Sequence, residues 1–310
     1  MENELMAKKQ ILIDCDPGVD DALAIMLAVV SPELEVVGIT TVGGNAPADV
    51  CASNAGKVLE LCGMQHIPIH SGLNQPLLRS LLFDGKYSGM DGLNGTELPG
   101  SNCPVRDDAV DFIIDCARKH EALELISIAP MTNIATALQR APDIRHRISQ
   151  IVTTSGYYGL NKLPNVPRTG WNIKADPEAA KIVLESGIPV RALGLDVTAY
   201  LENAWVEKLE QNAANGSMWD FFSKAAAFNR ERGLEPYSLL VDGFATAYVI
   251  DSGIAELTAG QVEVKVDEQI GADCTTLVNK GTLHNESEIY AAHSFSYEAY
   301  ITLLLNRVFI

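Results

Sequence analysis

Between Gln10 and Val30 an apolar run, QILIDC, passes through an acidic turn into a helix-length stretch with almost no polar residue. The run reads as a short buried strand, and Ala22 to Val30, apolar nearly all round, reads as a buried helix. Four aspartates, Asp14, Asp16, Asp20 and Asp21, are crowded into the eight residues at their junction. Strand geometry puts Asp14 and Asp16 on one side of the chain, Pro17-Gly18 turns it, and Asp20-Asp21 fall at the positively polarised start of the helix. The helix dipole offsets only part of their repulsion. Carboxylates this close raise each other's pKa or demand a counter-charge, and hard oxygen ligands select Ca²⁺ or Mg²⁺ over softer metals. A helix N-cap uses one aspartate and leaves three without a reason.

Beyond this junction β-type runs alternate with helical stretches. Strands are predicted at 10–15, 35–41, 67–70, 123–128, 148–153 and 190–195, separated by helices at 22–30, 48–62, 107–119, 132–140 and 177–186. That alternation predicts an α/β fold with an open, mostly parallel, doubly wound sheet flanked by helices. Helices at 204–212, 218–232, 242–250 and 297–307 and strands at 262–266 and 275–278 extend it at the C-terminal end. No linker divides the chain, so 1–310 is expected to form a single domain. In open α/β sheets the ligand site lies beyond the carboxyl ends of the strands, so the long connections 71–104 and 154–174 are expected to border it.

The bulk properties narrow the partners. With 310 residues, 47% of them apolar, the chain can bury a large core. A net charge of -17 argues against DNA, RNA or an anionic membrane as partner, while a neutral small molecule is not repelled. The six cysteines, Cys15, Cys51, Cys62, Cys103, Cys116 and Cys274, have no paired metal spacing and read as reduced core residues, as in a cytoplasmic protein. The first nine residues are polar, and no run of about 18 apolar residues occurs, so no membrane association is expected.

The acidic octet, together with Gly43-Gly44-Asn45, resembles the inosine-uridine nucleoside hydrolase family. Later segments resemble that family in the same order: Ile126 to Ala135 (ISIAPMTNIA), Trp171 to Ala180 (WNIKADPEAA) and Asp242 to Val249 (DGFATAYV). The resemblance implies a Ca²⁺-dependent hydrolase of N-glycosyl compounds acting on a small-molecule ribonucleoside, and a homo-oligomer, dimer or tetramer. It implies that Asp16 holds the metal and takes a proton from the attacking water. It makes Asp21, Asp242 and the backbone carbonyl of Ile128 further ligands, Asp20, Asn45 and Asn172 sugar contacts, and Asp14 a supporting residue behind the site. Such chemistry suits the bond, whose hydrolysis passes through an oxocarbenium-like ribosyl cation and needs an activated water and charge stabilisation.

The chain also departs from the family. Members carry one histidine before the last aspartate ligand, where this chain has Val241, and another where it has Ser88-Gly89. A glutamate that binds the ribose 5′ side in many relatives is Gly170 here, with Lys162, Arg168 and Lys174 close in sequence. The leaving base therefore lacks the usual imidazole acid, a deficit of roughly 10²–10⁴-fold in rate that matters most for poor leaving groups. Tyr87, Asn229, Arg232 and Tyr237 are candidate base contacts. Two other readings of the same residues are a Ca²⁺- and ribosyl-binding homologue without turnover and, more remotely, a phosphatase using Asp14 as nucleophile.

Overall fold

The computed structural model of the protein describes residues 7–82, 85, 88–96, 98–162, 169–267 and 274–310. Strand β1 (Lys9–Cys15) runs into helix α1 (Val19–Val29), followed by β2 (Leu34–Thr41), α2 (Ala48–Leu61), β3 (Ile69–Ser71) and the short β4 (Val105–Arg106). A second series comprises α3 (Ala109–Lys119), β5 (Leu123–Ser127), α4 (Thr132–Arg140), β6 (Ile148–Thr153), α5 (Trp171–Ala175), α6 (Pro177–Leu184) and β7 (Pro189–Ala192). The C-terminal part adds α7 (Leu195–Thr198), α8 (Asn203–Asn212), α9 (Ser217–Glu231), α10 (Gly243–Ile250), β8 (Ala255–Lys265), β9 (Cys274–Val278), β10 (Glu288–Phe295) and α11 (Tyr297–Arg307).

The strands form one sheet in the order β4-β3-β2-β1-β5-β6-β7-β10-β8-β9. Among the described residues pairing is parallel from β4 through β10, and only β8 and β9 join antiparallel. The chain builds outward from β1 to β4 and then resumes on the other side of β1 with β5. Connections therefore diverge between the carboxyl ends of β1 and β5, which is where a doubly wound sheet opens a ligand crevice. Alternation along β1 feeds both faces: Ile11, Ile13 and Cys15 pack in the core under α1, α2 and α10, and Leu12 packs in the core under α3, α4 and α6.

The predicted strands and helices are all present, and the structure adds the short edge strand β4, the short helices α5 and α7 and, towards the C-terminal end, strand β10. Strand β10 is inserted between β7 and β8, where the sequence predicts no strand. Its burial breaks alternation and its register with β8 slips between Ala292 and Ser294, so it carries no clean period-two pattern. Strand β8 begins at Ala255 rather than at position 262. The strand predicted over 190–195 stops at Ala192, because the chain turns so tightly at Gly194 that an added Cβ would lie 2.3 Å from the Gly156 carbonyl. Of the cysteines, Cys15, Cys51 and Cys116 are buried, while Cys62, Cys103 and Cys274 are half-buried, and none of them forms a disulfide.

Candidate active site

A pocket of about 470 Å³ opens at the β1/β5 crevice. The predicted long connections both border it, the first through Gly85, Ser88 and Asn94, the second through Thr154, Ser155, Gly170, Trp171 and Asn172. Asp16, Asp20 and Asp242 line it directly, while Asp21 lies fully buried behind. Carboxylate oxygens of Asp20, Asp21 and Asp242 come within 4.8 Å of one another, two from the start of α1 and one from the residue that opens α10.

Each acid is held by a different device. Asp21, in the first turn of α1, reaches back to accept from the backbone N–H groups of Asp16 and Gly18 at 3.1 and 3.0 Å. The side chain of Asn45 donates to it as well, at 3.2 Å. Asp16 accepts from the backbone N–H of Asn45 at 2.6 Å. Only glycine permits that approach, since a Cβ at Gly44 would sit 2.0 Å from the Asp16 carboxylate. Asp242 makes no capping bond of its own and instead accepts from the Thr154 hydroxyl at 2.7 Å. The Tyr300 hydroxyl, donating to the Leu240 carbonyl at 2.9 Å and packed against Gly243, fixes the chain where Asp242 leaves it.

Electrostatics follow from burial. Desolvation, then the charge of Asp21, drives Asp16 well above the ordinary carboxylate range; desolvation, then Asp20, does the same to Asp21. Asp242 is raised by desolvation and by Asp20 and Asp21, and Asp20 by desolvation. No described lysine, arginine or histidine lines the pocket. The cluster is thus a set of hard oxygen donors that repel one another and lack a counter-charge, which fits a divalent cation.

The remaining predicted residues divide clearly. Asp14 is buried and does not line the pocket; it accepts from Thr40 at 2.6 Å and Asn133 at 2.9 Å, and burial raises its pKa to about 6. Asn172 lies within α5 and does not cap the helix that Pro177 begins. That task falls to Asp176, and Asn172 donates to the Ile128 carbonyl at 2.8 Å, tying two pocket residues together. Tyr237 lines the pocket, whereas Asn229 is buried behind its wall. Arg232 is exposed over the Phe228 ring, and Tyr87 and Arg168 lie outside the described residues. Lys162 is exposed and Lys174 sits over Trp171 at 5.4 Å. Thr154 and Tyr300 are not singled out by the sequence, because neither belongs to an acidic or glycine-rich motif.

Residues 11–302 match the family of inosine-uridine preferring nucleoside hydrolases. The chain belongs to that family. Its members are hydrolases acting on N-glycosyl compounds. An uncharacterised protein of Schizosaccharomyces pombe is 41% identical over 199 residues, covering 63% of this chain and 64% of the relative. The pyrimidine-specific ribonucleoside hydrolase RihA of Escherichia coli is 40% identical over 209 residues, covering 67% and 66%. The chain thus spans just under two thirds of the length of these relatives. Among solved structures, a purine-preferring ribonucleoside hydrolase from Gardnerella vaginalis superposes with a TM-score of 0.83 at 28% identity, over 96% of this chain and 98% of that one. A plant nucleoside hydrolase, PpNRh1, superposes with a TM-score of 0.83 at 25% identity, over 98% and 99%. Within the pocket, Val241 lies beside Asp242, Ser88 faces Asn45, and Gly170 packs where a Cβ would lie 3.2 Å from the Gly156 nitrogen.

Proposed function

We propose that the protein hydrolyses the N-glycosidic bond of a ribonucleoside to free base and ribose, with Ca²⁺ as its metal. The observation that carries this reading is the convergence of Asp20, Asp21 and Asp242 at the inner end of the β1/β5 crevice in a chain of this family. Asp16, which lines the pocket outside that group of three, would hold the ion with Asp21, Asp242 and the Ile128 carbonyl, and Asp20, the third clustered carboxylate, would present an oxygen to a ribose hydroxyl. An ion held there would supply the missing counter-charge and lower the pKa of a water. Asp16 has one carboxylate oxygen engaged by Asn45 and keeps the other to take the water's proton. Asn172, through its bond to Ile128, holds that carbonyl and the sugar side of the pocket in register. The apolar surfaces of Trp171, Tyr237, Leu239 and Val241 receive the base.

RihA is named for pyrimidines and the Gardnerella enzyme for purines, so both classes belong in the test. Incubating the protein with inosine, uridine, their 5′-nucleotides and p-nitrophenyl riboside, with and without a chelator, and chromatographing the released base checks the reading. Calcium-dependent release of base supports it; no release from any riboside refutes it in favour of a binding protein. The burial of Asp14 away from the pocket speaks against its use as a phosphatase nucleophile. We also propose one domain, supported by a single continuous sheet, a cytoplasmic location, supported by free cysteines, and a homo-oligomer, which light scattering checks. No helix among the described residues is long and apolar enough to cross a membrane.

A further inference from the structure

Residues 88–96 form a strap along the pocket, and its tethers reach both the acidic cluster and the far wall. At one end Ser88 donates to the side-chain oxygen of Asn45 at 2.8 Å, and Asn45 passes on two bonds, its backbone N–H to Asp16 and its side-chain NH₂ to Asp21. Both Asp21 oxygens already accept backbone N–H groups, so Asn45 turns its NH₂ toward Asp21 and its oxygen toward Ser88. In the middle, the buried Asn54 of α2 donates to the Asp91 carbonyl at 2.7 Å and to the Pro17 carbonyl at 3.2 Å, seating the strap on the Asp-Pro-Gly turn.

At the other end Asn94 takes a left-handed conformation, φ 55°, and its side chain donates to the side-chain oxygen of Asn229 at 2.8 Å. Asn229 then donates to the Ser238 hydroxyl at 3.3 Å, and Ser238 donates to the Glu235 carbonyl at 2.8 Å. Asn94 and Ser238 both line the pocket, from segments far apart in sequence, and Asn229 stands behind them in α9. A fully buried amide inside a helix is costly unless its bonds are made, and here they join two walls.

We infer that Ser88 and Asn229 are positioning residues for two different walls of the pocket, Ser88 acting through Asn45 on Asp16 and Asp21, Asn229 acting through Asn94 and Ser238 on the wall that faces the aglycone. The inference rests on the reading of this pocket as a ribosyl site. Ser88→Ala leaves Asn45 free to turn its amide away from Asp21, so both calcium affinity and kcat fall. Asn229→Ala releases the Asn94 end of the strap and the 236–240 turn while Asn54 still seats its middle, so KM rises while the acids are undisturbed.

The experiment compares wild type, Ser88→Ala, Ser88→Thr and Asn229→Ala by calcium calorimetry on metal-free protein, by kcat and KM on p-nitrophenyl riboside, and by amide hydrogen exchange. Ser88→Ala is expected to weaken calcium binding about 3- to 10-fold and Ser88→Thr to restore it. Asn229→Ala is expected to keep wild-type calcium affinity, raise KM about 3- to 10-fold, and speed exchange in 88–96 and 236–240. Wild-type calcium affinity in Ser88→Ala, or unchanged exchange and KM in Asn229→Ala, overturns the inference, as does loss of calcium binding in Asn229→Ala. Should Asn229→Ala not fold, Ser238→Ala cuts the same chain one step later and must speed exchange in 236–240, or the inference fails. A wild-type protein that neither binds calcium nor cleaves any riboside brings down the proposed function instead, and the exchange data still decide whether Asn229 holds the two walls.

Discussion

The pocket has two walls built in opposite ways. The acidic one is nearly a single motif: Asp16, Asp20 and Asp21 come from one strand-to-helix junction, and Asp242 and the Ile128 carbonyl join them from the start of α10 and the end of β5. The other wall is assembled from the 88–96 strap, the 236–240 turn, α5 and α7, and side-chain amides rather than main-chain ladders hold the strap to its neighbours. Strand ends and helix starts place chemistry rigidly, while loops shape recognition and can change without disturbing it. The difference teaches how, on the family resemblance, one wall can keep its acids while the other goes without the histidines and the glutamate that the resemblance implies.

The largest effect is expected at the acidic wall. Asp16→Asn keeps an oxygen that can accept from the Asn45 N–H but cannot take a proton from water at neutral pH. Turnover should drop about 10²–10⁴-fold with the fold and ribose affinity largely intact. Near-wild-type kcat in this variant would mean that another group activates the water, and the chemistry would no longer belong to the acidic wall.

How much of this could be read beforehand differs between the walls for the same reason. Asp14 to Asp21 are contiguous, so their crowding is visible in the sequence, and the parallel sheet that presents them follows from alternating runs with caps and turns. Asp176 as a cap could also be read, because Pro177 follows it. Asn229 could be picked out only as a neighbour of the site, and its place behind the wall depends on a partner 135 residues away, which no local pattern encodes. Thr154 and β10 escape notice likewise. A threonine after a strand has no signature until Asp242 is folded against it, and β10 lacks a clean period.

The next prediction presses on the lost histidines. With Val241 beside Asp242 and no described imidazole at the pocket, p-nitrophenyl riboside should be cleaved about 10²-fold faster than inosine or uridine. Val241→His should narrow that gap by accelerating the natural nucleosides selectively. Equal rates on activated and natural substrates in the unmodified enzyme would reveal a replacement acid in the second wall and break the contrast drawn above.

A smaller effect is expected behind the acids. Thr154→Val removes the hydroxyl that donates to Asp242 while keeping the shape of the side chain. Calcium affinity should fall about tenfold, as for other residues that orient a ligand without touching the ion, and KM measured at saturating calcium should hold. Calorimetry on the metal-free protein and kinetics at high calcium separate the two. A rise in KM without any change in calcium affinity would assign Thr154 to the sugar rather than to Asp242.

The smallest effect tests whether the walls are independent of the rest of the molecule. Glu33, just before β2, accepts from both Nη atoms of Arg307 at the end of α11, at 2.7 and 2.8 Å. The hydrogen-bonded guanidinium holds the Glu33 carboxyl below its ordinary range, against the opposing effect of partial burial. A depressed folded-state pKa means that the pair contributes its full stability above the unfolded carboxylate value and loses it as pH falls through the lower folded value. Because the pair is partly exposed, Arg307→Gln should cost only about 0.2–1 kcal/mol at pH 7, and the deficit should shrink as the solution is acidified below about pH 4. Denaturant midpoints of wild type and variant across that range measure it. Calcium affinity and KM should not move at all. If either does, a bond that touches neither wall is setting the geometry of one, and the pocket is not the pair of separable walls described here.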